Sequence, residues 1–388
     1  MEHRVALVGL GYTPFRPTSA GVSYKELMFE AATRAYADCG FDPRSDIDSF
    51  VCCSEDFHEG TSIFDEYVPD QIGGALRPVQ TITGDGLQGF AAAYMLIRTG
   101  IAEAVTVEAH SKASNMLEPL EVMSLALDPI YVRPLGANPH FVAALEMDAY
   151  LQASGQADGR RACAQVVAKN RSNALANPAA AYGAALTPED VLNSEPTFEP
   201  LRKLDMSGPA DGAIVVVLAS EERARRARSK PVWVNGIGWC TEANALDSRD
   251  WAGADYARRA AEMAYRAAGV TDPARQIDFA EVDDTYSYKE IQHLDALGVF
   301  DKGRAARATL DGVTDRDGRL PVNASGGSLG VGHLLEATGL AKVVEVALQL
   351  RGEAGPRQLS RAQRGLAMSW RGVPTATGAV AVLEAGER

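Results

Sequence analysis

Cysteine is scarce in this chain and follows no recognisable spacing. Five occur in 388 residues, at Cys39, Cys52, Cys53, Cys163 and Cys240. The odd count and irregular intervals argue against a disulfide framework, and without a C-x-x-C pair no zinc or other metal site is expected. Basic charge is also short. Against 51 Asp and Glu stand 38 Lys and Arg, a formal net charge of -13, which disfavours nucleic acid or an anionic membrane surface as the main partner. No run reaches the roughly 18 uninterrupted apolar residues that cross a bilayer. The opening "MEHRVALVGLGYTPF" enters a strand-like segment directly, so no secretory leader and a cytoplasmic location are expected. No phosphate-binding motif is present either.

Glycine, in contrast, occupies 36 positions, and much of it marks a repeat. At 388 residues the chain exceeds the usual single domain, so two fused halves are the first expectation. "RVALVGLGYTPF" opens the first and "PVWVNGIGWCTE" restarts the second, each a strand-like run ending in Gly-x-Gly at Gly9/Gly11 and Gly236/Gly238. Alanine-rich helical patterns follow, "SYKELMFEAATRAYADCGFDP" and "DYARRAAEMAYRAAGVTDP", stopped at Gly40 and Gly269 with Pro43 and Pro273 beyond. Then come strands introduced by Ile-Asp, "DIDSFVCCSEDF" and "QIDFAEVDDTYS". The paired cysteines of the first read as small buried strand residues. Glycine-rich turns next lead into helices, "TGDGLQGFAAAYMLIRTG" and "GGSLGVGHLLEATGLAKVVEVALQLRG". Strand, helix, strand, helix, strand, twice over, reads as duplicated α/β layers with mostly parallel pairing. The halves are 1–225 and 231–388, joined through "EERARRARSK", read as a solvated helix end. Residues 112–200 have no counterpart in the second half, and an insertion on a rigid scaffold commonly carries substrate contacts.

The segment "NASGGSLGVGHLLEATG", 323 to 339, resembles the thiolase pattern Asn-x-x-Gly-Gly followed by Gly-His-Pro-x-Gly-Ala-Thr-Gly. Here it reads Asn323, Gly326, Gly327, Gly332, His333, Ala337, Thr338 and Gly339, with Leu334 in place of the proline. "KLDMSGPADGAIVVVLAS" is similar to the segment closing the first half of sterol-carrier-type thiolases. "EVDDTYS" falls where those proteins carry His-Asp-Cys-Phe or Asn-Glu-Ala-Phe. The resemblance spans nearly the whole chain. It implies the duplicated thiolase fold, an α/β architecture of five layers, αβαβα, with two mixed, mainly parallel sheets. It further implies an acyl-CoA or carrier-bound acyl substrate with no cofactor beyond the coenzyme A of that substrate, and a homodimer. A small partner combining a zinc ribbon and an OB fold accompanies relatives of this kind.

The departures bear on chemistry. A thiolase needs a cysteine at the N-terminus of a buried helix, where the dipole and a nearby histidine favour thiolate. The matching turn carries Thr83, with Gly86 and Leu87 in register, and a threonine hydroxyl acts as nucleophile only beside a strong base. The second family cysteine falls at Trp370-Arg371-Gly372 and is absent. Asp283 stands where the family has histidine or asparagine. Kept protonated by burial beside Asp284 it would donate to an oxyanion; ionised it would act as a base; or it caps a loop. Tyr286 reads as packing and Tyr288 as a candidate acid. The expected site therefore has His333, Asp283, Thr83 and Tyr288 as catalytic groups and Gly84, Gly327 and Gly372 supplying backbone N–H groups to an oxyanion. His140, Asp85 and Trp370 are its expected substrate contacts, while His58, His110 and His293 are read as structural. Bacterial thiolase-like steroid side-chain aldolases also lack the working cysteine and resemble the chain in "DGRLPVN…GG" and "GVPT", but carry tyrosines at the positions of Asp283 and His333. The expectation is an enzyme making or cleaving a C–C bond beside an acyl-CoA thioester without a cysteine acyl-enzyme, by retro-aldol or Claisen-type steps. The alternatives are a non-catalytic acyl-CoA or lipid-binding subunit that supports a partner enzyme, and an acyltransferase using Thr83.

Overall fold

The computed structural model describes residues 4–55, 58, 64–154, 156–243, 245–372 and 376–386. Strands β1 (Val5–Tyr12), β2 (Ser49–Cys53), β3 (Val79–Ile82) and β4 (Ala104–Ser111) belong to the first half. A two-stranded ribbon, β5 (Pro196–Phe198) with β6 (Leu201–Arg202), ends the insertion, and β7 (Gly212–Ser220) closes this half. The second half holds β8 (Val232–Thr241), β9 (Phe279–Glu281), β10 (Arg364–Gly372) and β11 (Ala376–Ala385). Nine of these strands form one sheet in the order β3-β2-β4-β7-β1-β8-β11-β10-β9. The repeat is visible in it, with β1, β2, β4 and β7 answering to β8, β9, β10 and β11.

The pairing is mixed, as expected, but two details correct the expectation of two mixed, mainly parallel sheets. The halves share one sheet because the opening strands β1 and β8 pair antiparallel at Ala6↔Trp233 and Leu7↔Val232. Parallel pairing is confined to β2–β3, β2–β4 and β9–β10; β1–β7, β4–β7, β8–β11 and β10–β11 are antiparallel. For β10–β11 the reason is connection length. Parallel neighbours need a crossover of roughly a dozen residues or more, whereas β11 begins at Ala376, just beyond the end of β10 at Gly372.

The Gly-x-Gly repeat has a packing cause. Outer helices Tyr24–Cys39 and Asp255–Ala268 lie on the sheet through their alanines, Ala31 and Ala35 in one and Ala260 and Ala264 in the other. A methyl on Gly11 would run into the Ala31 carbonyl, and one on Gly236 into that of Ala264. The first helix starts on a capping box, where Ser23 Oγ accepts from Glu26 N–H and Glu26 accepts from Ser23 N–H. Gly40 and Gly269 end the two helices at φ 76° and 66°.

Helices Gly86–Arg98 and Thr338–Arg351 form the central layer, packed on each other and on the inner faces of both halves of the sheet. Outer helix, first half of the sheet, central helices, second half of the sheet and outer helix make the five layers. The insertion contributes helices Pro139–Ser154 and Gln156–Ala174; the latter packs on Ala305–Leu310 and Gly327–Val331 of the second half. Among the described residues no helix is long and apolar enough to cross a membrane.

Candidate active site

The turn before the first central helix presents Thr83 to solvent, while Gly84, Asp85 and Gly86 are buried. No base meets the Thr83 hydroxyl among the described residues. Asp85 caps the helix Gly86–Arg98: one carboxylate oxygen accepts from Leu87 N–H at 2.8 Å, and the other accepts from Gly339 N–H, also at 2.8 Å. Gly339 lies in the first turn of the second central helix, so one side chain ties the starts of both. Burial pushes the Asp85 carboxyl up to about 6, with Asp283 nearby adding to the rise while its hydrogen bonds, Ser369 among them, oppose it. Asp85, expected against substrate, is thus engaged with backbone.

Asp283 and Asp284 follow β9 and turn to different neighbours. Asp284 accepts from Ser328 N–H at 2.5 Å, from Leu329 N–H at 3.2 Å and from Asn170 Nδ2 at 2.8 Å, and it faces Lys342 Nζ at 3.5 Å. It caps the short helix of the glycine-rich segment, and Gly327 there, at φ 57°, leaves the room that its carboxylate fills. Asp283 accepts from Thr285 N–H at 3.0 Å with one oxygen; the other is buried without a hydrogen-bond partner among the described residues. Burial is the main cause that holds its carboxyl above the usual range, Lys342 opposes it, and Asp284 adds a lesser push. Desolvation, more than pairing with Asp284, favours the protonated acid.

Around Asp283 lies a buried aromatic chamber. Tyr288 OH donates to Glu146 Oε2 at 2.7 Å, and Lys289 Nζ meets Glu146 Oε1 at 2.8 Å. The same ammonium lies 4.2 Å from the Trp370 ring centroid and 3.2 Å from Tyr256 OH. His293 bridges the Asp283 carbonyl and Tyr256 OH, at 3.0 and 2.9 Å. His140, at the start of helix Pro139–Ser154, reaches Tyr286 OH at 3.0 Å. Trp370 Nε1 is buried without a partner among the described residues, and the ring lies where any side chain at Gly372 would have to go. Burial and the negative charge of Glu146 push both Tyr286 and Tyr288 upward, so Tyr288 stays a phenol.

His333 belongs to a second group. Its backbone is clamped: N–H donates to Gly208 O at 2.7 Å, and its carbonyl accepts from Ala210 N–H at 2.9 Å. Burial lowers the imidazole to about 4, so the ring is neutral near pH 7. The charged groups that act on it most are Glu336, His58 and Arg371. Glu336 takes the place of the second glycine in the Gly-His-Pro-x-Gly pattern, and its Oε1 lies 2.6 Å from His58 Nδ1 and 3.4 Å from Arg371. Asp283, Tyr288, His140 and Trp370 are therefore brought together in one cluster. His333 stands in another, with Glu336, His58 and Arg371, and the Glu336 carbonyl lies 3.1 Å from where a methyl on Gly86 would sit, at the start of the first central helix. Glu146, Lys289, Glu336, Arg371 and the partnership of His58 escaped the sequence reading. A readable signal existed for one of them: an acid inside the apolar run "HLLEATGL".

Cys39, Cys52, Cys53 and Cys163 are buried, and burial raises each thiol, Cys39 to about 11 and Cys163 to about 12. Cys53 fills the space that Gly89 leaves open on the first central helix.

Residues 239–385 match the family described as thiolase C-terminal domain-like. An acetyl-CoA acetyltransferase of Methanothermobacter thermautotrophicus is 31% identical over 370 residues, 93% of this chain and 94% of that protein. Sterol carrier protein 2 of Gallus gallus is 27% identical over 94% of this chain and 69% of its own length. Among solved structures, the Ltp2-ChsH2(DUF35) aldolase superposes with a TM-score of 0.85 at 26% identity, covering 99% of this chain and 98% of that one. The chain belongs to the thiolase superfamily. Within it, the sterol-carrier and aldolase-type branch is where these similarities place it.

Proposed function

We propose that the protein is an enzyme that makes or cleaves a C–C bond beside an acyl-CoA thioester through an enolate, with no acyl group carried on cysteine. The observation that carries this reading is the turn at the start of the first central helix. Where the family places its nucleophile, this chain has Thr83, which no base meets among the described residues, while the segment that carries the neutral His333 packs through Glu336 against the start of the same helix at Gly86. In the cleavage direction a β-hydroxyacyl-CoA gives its hydroxyl proton to a base and the Cα–Cβ bond breaks. The electron pair becomes the thioester enolate, which is then protonated at Cα. His333, as a neutral N–H donor, and backbone N–H groups of the glycine turns would hold the enolate oxygen. The relatives named acetyl-CoA acetyltransferase keep acyl transfer through Thr83 as the competing reading.

The Ltp2-ChsH2(DUF35) aldolase carries a second component in its name, which supports a small accessory protein as a partner here too; a homodimer, a cytoplasmic location and a CoA thioester substrate complete the proposal. The test is intact-protein mass spectrometry after incubation with acetyl-CoA and longer acyl-CoAs. We expect no adduct, with CoA thioester released from a β-hydroxyacyl-CoA by the native protein but not by His333→Ala. An acyl adduct lost in Thr83→Ala would establish acyl transfer instead. Neither adduct nor turnover would point to a non-catalytic acyl-CoA-binding subunit.

A further inference from the structure

Glu55, His58, Glu336 and Arg371 come from three separate parts of the chain and meet beside His333. His58 Nδ1 and Glu336 Oε1 are 2.6 Å apart, with the side chains 12% and 2% exposed. Arg371, one residue before Gly372, pairs with Glu55 and lies 3.4 Å from Glu336. Glu336 Oε2 is buried with no hydrogen-bond partner among the described residues. The three potential ligand atoms of Glu55, His58 and Glu336 lie within 4.8 Å of one another. Arg371 already supplies the positive charge both carboxylates need, however, and the group is nearly balanced without an ion.

A carboxylate on Nδ1 does for His58 what an orienting acid does for any catalytic imidazole. It fixes the ring and its tautomer, and it leaves Nε2 to exchange a proton. We propose that His58 is a catalytic proton-transfer residue of this site and that Glu336 is its positioning residue. The inference rests on the acyl-CoA reading above. His58 Nε2 takes the α-proton of a bound thioester as the Cα–H bond breaks, and the electron pair moves into the enolate; in reverse, Nε2 returns the proton to Cα. His333 and His58 divide the work. Burial keeps His333 a neutral donor, whereas Glu336, with Glu55 behind it, raises His58 against the opposing effects of burial and Arg371.

The test is exchange of the α-protons of propionyl-CoA and octanoyl-CoA in D2O, followed by proton NMR, alongside calorimetric binding of the same thioesters. Native protein should bind and exchange. His58→Ala and His58→Gln should bind as before and exchange about 100-fold more slowly, and added imidazole should restore part of the rate in His58→Ala. Glu336→Gln should move the pH profile of exchange to lower pH, since the charged or titratable groups left facing His58 among the described residues would be Glu55, Arg371 and His333. Exchange at the native rate in both His58 variants overturns the inference and leaves the acyl-CoA reading standing. Native protein that neither binds nor exchanges overturns both. Exchange abolished by EDTA and restored by zinc would make the cluster an ion site and overturn the proton-transfer role.

Discussion

Single carboxyl groups carry much of this site, and their protonation has a sign that stability measurements can read. Asp85 holds its proton more tightly folded than unfolded, since burial raises it from 3.8 to about 6. Its ionisation therefore costs stability: the contribution is intact below about pH 4 and is lost as pH rises through about 6, on the order of 3 kcal/mol for two units. Relative to Asp85→Asn, native protein should lose that amount between pH 4 and 7 in urea denaturation. A difference that does not vary with pH would show that Asp85 does not titrate in this way. His333 acts oppositely. Its depressed value means that stability falls as pH drops from about 6.5 towards 4. His333 was legible in the sequence because a glycine-rich turn frames it. His58 was not, because its partner Glu336 lies 278 positions away and only the fold closes that distance.

Elements were legible where local chemistry repeats. Both outer helices, their glycine stops and the Gly-x-Gly strands could be read because each signal lies within a few residues. The structure adds the reason for the strand glycines, which is the close approach of an alanine face. Gly11→Ala and Gly236→Ala should each cost about 1–3 kcal/mol by overpacking, seen as a lower denaturant midpoint. Gly269→Ala meets nothing within 4 Å and pays only for its left-handed backbone at φ 66°, about 1 kcal/mol. Equal losses at all three would mean that the helices do not press on those glycines. Strand direction was less legible, since it depends on which strands become neighbours, and β7 and β11 return beside strands already laid down.

At the scale of the whole molecule, the insertion is more than a set of substrate loops. Lys169 Nζ reaches Glu290 at 2.8 Å and the Val322 carbonyl at 3.0 Å; Asn170 donates to Asp284 and Glu290, and Asn173 to the Asn323 carbonyl. These contacts fasten the first half's extra segment into the second half's glycine-rich floor. Irregular composition in 112–200 gave no hint of this, because a buried ion pair has no sequence period. Lys169→Met should leave Glu290 buried without its cation and cost about 3–5 kcal/mol. Lys169→Met combined with Glu290→Gln should recover part of the loss, and both are measurable as shifts in the melting midpoint. No recovery would place the lysine's contribution in its packing.

The carboxylate of Asp85 serves two masters at once, the first turn of one central helix and that of its repeat partner. Such a rivet makes fraying contagious, because one turn cannot loosen without releasing the cap of the other. The duplicated halves, which the sequence lays out as two copies, should therefore melt as one cooperative unit.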